Sequence, residues 1–263
     1  TQNNELISDL TQRTISSMHE DFLTLGLELP TAEPKATDHI SGMVEMIESL
    51  IEKGHAYHSP GGDVFFAVRT FSEYGKLSNK NIDDLNPGSR IAEDESKKDP
   101  LDFVLWKSAK AGEPFWNSPW GKGRPGWHIE CSVMSLKNLG EHFDIHGGGP
   151  DLIFPHHENE IAQSECSSGK QFANYWLHSG LLKINGEKMS KSLGNFAMLK
   201  DLFVSYHPEV LRYYLVSSHY RSSLNFDNTS LDQARSALAR LYQALASVED
   251  MGHELDQDMM KQF

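Results

Sequence analysis

The run Phe154-Pro155-His156-His157-Glu158-Asn159-Glu160 concentrates side chains that bind metals or move protons. Pro155 suits the first turn of a helix. On a helix, His156 and Glu160 are four positions apart and share a face, so an imidazole and a carboxylate converge on one point. Both are acceptable zinc ligands, and Cys131 can add a thiolate from the preceding helix. Three such ligands leave a coordination position open, the mark of a catalytic rather than a structural zinc. The zinc-protease spacing fails, because four residues after His157 stands Ile161 and not a second histidine. The plain alternative is a polar, solvated helix start, its acids favoured by the macrodipole. Cys166 lies six residues beyond Glu160 and off its face, and reads as a core thiol.

A second group is Lys188-Met189-Ser190-Lys191-Ser192, followed by Leu193-Gly194-Asn195. Two lysines three apart with small hydroxyl residues between them suit a mobile loop that touches phosphates, each lysine acting as a point charge on a flexible stem. Charge developing on a transferring phosphoryl oxygen is what such a loop would stabilise. An exposed basic turn is the bland alternative. The third group is His146-Gly147-Gly148-Gly149-Pro150-Asp151. Glycines let the backbone approach a nucleotide, and an acidic side chain can hold ribose hydroxyls.

These groups need elements to position them. Leu6, Leu10, Met18, Phe22 and Leu25 recur at helical spacing, and a second helix after Pro34 carries Ile40, Met43, Val44, Ile47, Leu50 and Ile51 on one stripe. Asp63–Val68 and Asp102–Trp106 read as strands, separated by a polar stretch from Asn79 to Pro100. From residue 121 the pattern alternates: helix Trp127–Leu139, strand Phe143–Ile145, helix Pro155–Cys166, strand Tyr175–His178. Such alternation predicts a parallel sheet with helices on its faces, and the glycine run then follows a strand end, where open α/β sheets place ligands. Pro208 opens another helix. Ser230 with Gln233 predicts a capping box, and Leu231, Ala234, Leu238, Leu241, Leu245 and Val248 then form a bundle seam whose reading is packing.

The bulk numbers fit a globular chain of 263 residues, 38% hydrophobic and 23% charged. No apolar run approaches the length of a membrane span and no signal peptide is visible, so no membrane partner is expected. Two cysteines make no disulfide framework and read as reduced thiols, which points to the cytoplasm. The formal charge of −13 argues against a dedicated nucleic-acid binder, although Lys183, Lys188, Lys191, Arg212, Arg221, Arg235 and Arg240 could form a local basic track.

Taken together, the motifs resemble the cysteinyl-tRNA synthetases. The matching stretches are Gly123–Ser132, His146–Glu160 and Lys188–Asn195, with support from Asp102–Trp106 and His219–Ser222. The resemblance implies the second half of a class I Rossmann-type α/β fold, with an inserted α+β connective subdomain and a C-terminal helical segment. It divides the chain into residues 1–56, 57–120 (the insert), 121–180 (nucleotide-binding half with the metal), 181–227 (signature loop and stem contact) and 228–263 (start of a tRNA-binding bundle).

The family's zinc, expected as one ion per chain, is held by two cysteines, a histidine and a glutamate. Cys131, His156 and Glu160 match three of these, and the fourth ligand has no counterpart here. Trp127 and His146 match positions lining the amino-acid pocket. Gly147, Gly148, Gly149 and Asp151 are expected at adenosine. Lys188, Met189, Ser190, Lys191 and Ser192 are expected at the phosphates of ATP with its Mg2+, with Lys188 and Lys191 neutralising the pyrophosphate. The implied activity joins cysteine to its tRNA, and a monomer is expected. A first residue that is Thr1 rather than Met, together with the missing His-rich signature, is read as truncation, and so as weak or no activity of this polypeptide alone. The rivals are a cysteine ligase of mycothiol biosynthesis and a non-catalytic synthetase-like binding module.

Overall fold

The computed structural model describes residues 5–84, 96–189 and 194–250. The described residues form two compact units, one of the residues up to Thr31 together with those from Gly180 onward, the other Ala32–Ser179. Helix α1 (Ile7–Thr24) belongs to the first.

Within Ala32–Ser179, helix α2 (Ile40–Glu52) buries Met43, Met46, Ile47 and Leu50. At about 1.5–3 kcal/mol for each fully buried side chain, this stripe is a major stabiliser of the unit. It packs on an antiparallel sheet of β1 (Ala56–His58), β2 (Val64–Phe66), β3 (Phe103–Ser108) and β4 (Gly123–Pro125), in that order. Register pairs Ala56 with Phe66, Phe66 with Phe103, and Trp106 with Pro125. Buried Asp102 anchors the sheet by accepting from Val68 N at 3.0 Å, Asp99 N at 3.1 Å and Tyr57 Oη at 2.6 Å.

The site elements follow. Helix α3 (Trp127–Leu139) leads to β5 (Phe143–Gly148), and helix α4 (Glu158–Ser168) to β6 (Ala173–His178), which pairs parallel to β5. The parallel strand–helix–strand arrangement agrees with the sequence reading, with two local differences. Strand β5 runs on through Gly147 and Gly148, so these glycines end the strand and do not follow it. A Cβ at Gly148 would lie 2.8 Å from the His157 ring, so its bare backbone makes room for that imidazole. The regular part of α4 also starts later than Pro155. Phe154 is extended (φ −137°, ψ 130°), as expected of a residue before proline, and Ile153–His157 is an irregular turn feeding the helix.

The other unit holds β7 (Leu182–Ile184), β8 (Glu187–Lys188), α5 (Leu199–Leu202), α6 (Pro208–Val216), β9 (Leu224–Phe226) and α7 (Asn228–Asp250). β7 pairs antiparallel with β8 and parallel with β9. Asn185 and Gly186, both at positive φ, make the two-residue hairpin turn that delivers Lys188. Leu25, Val210, Leu211, Tyr214, Leu231 and Ala234 form this unit's core. Pro208 opens α6 as expected, with His207 Nδ1 accepting from Glu209 N at 3.3 Å. Helix α7 departs from the sequence reading at its start. Asp227, not Ser230, is the cap: its Oδ1 accepts from Ser230 N at 2.7 Å, and Ser230 already lies inside the helix. An ionised aspartate three residues nearer the chain start outcompetes a serine hydroxyl for that amide. No helix among the described residues is long and apolar enough to cross a membrane.

Candidate metal centre

Cys131, His156 and Glu160 meet. Their ligand atoms lie within 4.8 Å of one another, a span that one ion with bonds of about 2.0–2.3 Å can close by a small contraction. Helix α3 supplies the thiol, the turn before α4 the imidazole, and the first turn of α4 the carboxylate. Glu160 is 1% exposed. Its Oε1 lies 2.6 Å from His156 Nε2 and its Oε2 3.1 Å from His146 Nε2. Apart from these two imidazoles, neither buried oxygen has a hydrogen-bond partner among the described residues. The exposed Trp127 ring covers His156 with centroids 4.2 Å apart.

The solvated helix start expected as the bland alternative is not what forms. Glu158, Asn159, Glu160 and Gln163 are all buried. Glu158 accepts from Gly75 N at 2.8 Å, Ser78 N at 2.9 Å and Ser78 Oγ at 2.9 Å. Tyr74 Oη donates to Asn159, and Gln163 Nε2 to Ser132 Oγ at 3.0 Å. The loop 74–78 thus clamps the start of the helix that carries the site.

Further histidines surround it. His128 Nδ1 pairs with His156 Nδ1 at 2.8 Å, and His157 Nδ1 with His178 Nε2 at 2.8 Å. His146, His157 and Glu160 form a second group whose ligand atoms lie within 4.8 Å. His128, His157 and His178 escape a sequence reading because each partner sits on a different element. The strand register that places Gly148 opposite His178 and His146 opposite Trp176 is the signal that gathers them.

The electrostatics describe a site short of positive charge. Burial opposes the Glu160 charge, yet His146 and His156 outweigh it and hold the carboxyl down at about 2. Burial, then Glu160 and Glu130, push the Cys131 thiol up to about 12. Burial, with His156 adding to it, takes His128 down to about 4. His157 is taken to about 4 chiefly by burial, against the pull of Glu160. A divalent cation reverses the shift on the thiol and satisfies the orphaned carboxylate oxygens. One sulfur, one nitrogen and one oxygen donor fit a zinc-class ion. Cys166 stays outside both groups and packs against the core, its thiol pushed up to about 12 by burial.

Gly149 follows β5, and exposed Asp151 sits in the 3-10 turn Pro150–Leu152. Lys188 ends β8, with its carbonyl accepting from Asn195 Nδ2 at 3.2 Å, and Met189 is exposed. Ser190, Lys191 and Ser192 lie outside the described residues. Of the basic track, Arg212 donates to Gly26 O at 3.0 Å, and Arg235 pairs with Asp232.

The family model described as the tRNA synthetases class I (C) catalytic domain matches residues 1–236. A cysteine–tRNA ligase of Methylococcus capsulatus is 56% identical over 267 residues, covering 100% of this chain and 57% of the relative. One from Pseudomonas syringae pv. syringae is 62% identical over 244 residues, covering 93% and 53%. The chain therefore spans about half the length of the curated relatives it matches. Among solved structures, Mycobacterium tuberculosis methionyl-tRNA synthetase, in complex with methionyl-adenylate, superposes with a TM-score of 0.62 at 15% identity, over 88% of this chain and 56% of that one. A putative arginyl-tRNA synthetase from Campylobacter jejuni gives 0.54 at 17%, over 94% and 47%. Both likenesses are of fold.

Proposed function

Because the chain belongs to the class I (C) tRNA synthetase catalytic-domain family, we propose that it carries the amino-acid-selecting part of an enzyme that joins cysteine to tRNA at the expense of ATP. The observation that carries this reading is the meeting of Cys131, His156 and Glu160 around a buried carboxylate that lacks donors.

Cysteine and serine differ by one atom, and shape alone separates substrates that close by only about 10–200-fold. A zinc-class ion, when bound, supplies a soft acceptor that prefers a thiolate to an alcohol. The residues of the chain prepare that preference. Glu160 brings the charge that holds the cation, Cys131 the thiolate, and His156 an imidazole oriented by His128. Trp127, 60% exposed beside His156, offers a wall for the amino acid, and by the resemblance His146 is assigned to the same pocket.

By the resemblance, Gly147, Gly148, Gly149 and Asp151 are assigned to adenosine, where bare backbone admits the nucleotide and a carboxylate can accept from ribose hydroxyls. Lys188, Met189, Ser190, Lys191 and Ser192 are assigned to the phosphates of ATP with Mg2+. There the two lysines would neutralise the charge left on pyrophosphate as the amino-acid carboxylate attacks the α-phosphorus. The tRNA accepting the product would be that for cysteine.

The test is exchange of labelled pyrophosphate into ATP by a polypeptide that carries these residues. Exchange is expected to depend on cysteine, to ignore serine, and to be lost with the metal. Exchange driven equally by serine contradicts the reading.

A further inference from the structure

Helix α4 is gripped from the side opposite Glu160. Two residues along a helix turn the side chain by about 200°, so Glu158 projects away from the face that carries Glu160. There the loop 71–80 closes over it. Glu158 is fully buried and accepts from Gly75 N at 2.8 Å, Leu77 N at 3.5 Å, and Ser78 N and Oγ at 2.9 Å each. The neighbouring Asn159 accepts from Tyr74 Oη, and Lys80 Nζ lies 4.4 Å over the Phe154 ring. Further along the helix, Lys76 Nζ reaches Glu165 Oε2 at 2.6 Å. The loop is itself built to hold one shape. Lys80 N donates to Gly75 O at 3.0 Å, and Gly75 stands at φ +98°, where a Cβ would run into the Lys80 carbonyl.

We propose that Glu158 is a positioning residue: tied to the loop 71–80, it fixes the first turn of α4 and so sets how tightly Cys131, His156 and Glu160 hold their single ion. Glu158 lies midway in sequence between His156 and Glu160, so fraying of this turn separates those two ligands. The first amides of a helix have no carbonyl partner within it, and helix ends fray unless something outside holds them. Ligands already held in place lose little freedom when the ion arrives, and affinity rises accordingly. The inference rests on the metal centre proposed above. It adds residues that touch neither the ion nor the amino acid, and leaves the content at one ion.

Zinc is the probe, its affinity read by competition with a chromophoric chelator, under conditions where circular dichroism shows each variant folded. Glu158→Gln is expected to weaken zinc binding by at least about tenfold, the usual scale for partners that orient ligands. Tyr74→Phe combined with Ser78→Ala keeps the Glu158 carboxylate and removes two hydroxyl donors of the loop, and is expected to weaken binding in the same direction. Unchanged zinc affinity in folded Glu158→Gln overturns the proposal, because the clamp then serves stability alone. Weakening by Glu158→Gln with none in the loop variant also contradicts it, since that assigns the effect to charge and not to position. Should the variants fail to fold, amide exchange on the unaltered chain decides. Coupling is reciprocal, so zinc is expected to slow exchange at Gly75 and Ser78. Rates that zinc leaves unchanged overturn the proposal. An unaltered chain that takes up no zinc counts against the metal centre above, and this inference falls with it.

Discussion

Helices α4 and α7 reverse each other's burial. α4 hides Glu158, Asn159, Glu160, Gln163 and Ser164, while α7 leaves Leu241, Tyr242, Leu245 and Val248 exposed. By the usual rule a buried polar residue is the informative one, since apolar side chains on a surface are common. Several of the buried polar groups on α4 have an identifiable partner. Glu158 collects four donors from the loop 75–78, Asn159 takes the Tyr74 hydroxyl, and Gln163 Nε2 binds Ser132, while Gln163 Oε1, Ser164 Oγ and both oxygens of Glu160 have no hydrogen-bond partner. Of these unpartnered atoms on α4 only those of Glu160 carry charge, and that charge is where the candidate metal group forms. α7 behaves as an ordinary amphipathic helix only over its first turns, where Leu231 and Ala234 enter the core.

Three substitutions sharpen this contrast. Leu231→Ala, at a fully buried position, is expected to cost about 2–5 kcal/mol in chemical denaturation, because it leaves a cavity. Glu158→Gln replaces a carboxylate by an amide that turns one donor towards donors, and is expected to cost about 1.5–3 kcal/mol. A cost under about 0.5 kcal/mol, the range of ordinary surface changes, would show that the clamp on α4 contributes nothing. Leu245→Ala, at a position 46% exposed, is expected to stay within about 0.5 kcal/mol of the unaltered chain. A cost as large as that of Leu231→Ala would mean that the outer half of α7 is packed in solution.

The three side chains that meet as a candidate metal group are legible from residue types and local spacing. The helical interval between His156 and Glu160, and the presence of a cysteine one helix earlier, are properties of a single local pattern. The parallel pairing is legible for the same reason, since strands β5 and β6 flank a helix in sequence order. Less local features are hidden. The burial of Glu158 depends on amides about eighty residues away, and the pairing of His157 with His178 depends on a strand register that no local spacing encodes. The Asp227 cap is missed for a different reason: Ser230 and Gln233 offer an equally good local pattern, and the competition between them is decided by which residue the backbone leaves outside the helix. The lysine loop remains a sequence argument, because Ser190, Lys191 and Ser192 lie outside the described residues.

Zinc X-ray absorption before and after addition of the amino acid probes the metal centre most directly. Loaded with one equivalent, the chain is expected to show one sulfur neighbour, from Cys131, with nitrogen and oxygen from His156 and Glu160. Cysteine should add a second sulfur, and serine should leave the spectrum unchanged. A sulfur count that cysteine does not raise, or that is already zero before it is added, contradicts a centre built from these three side chains to receive a thiolate.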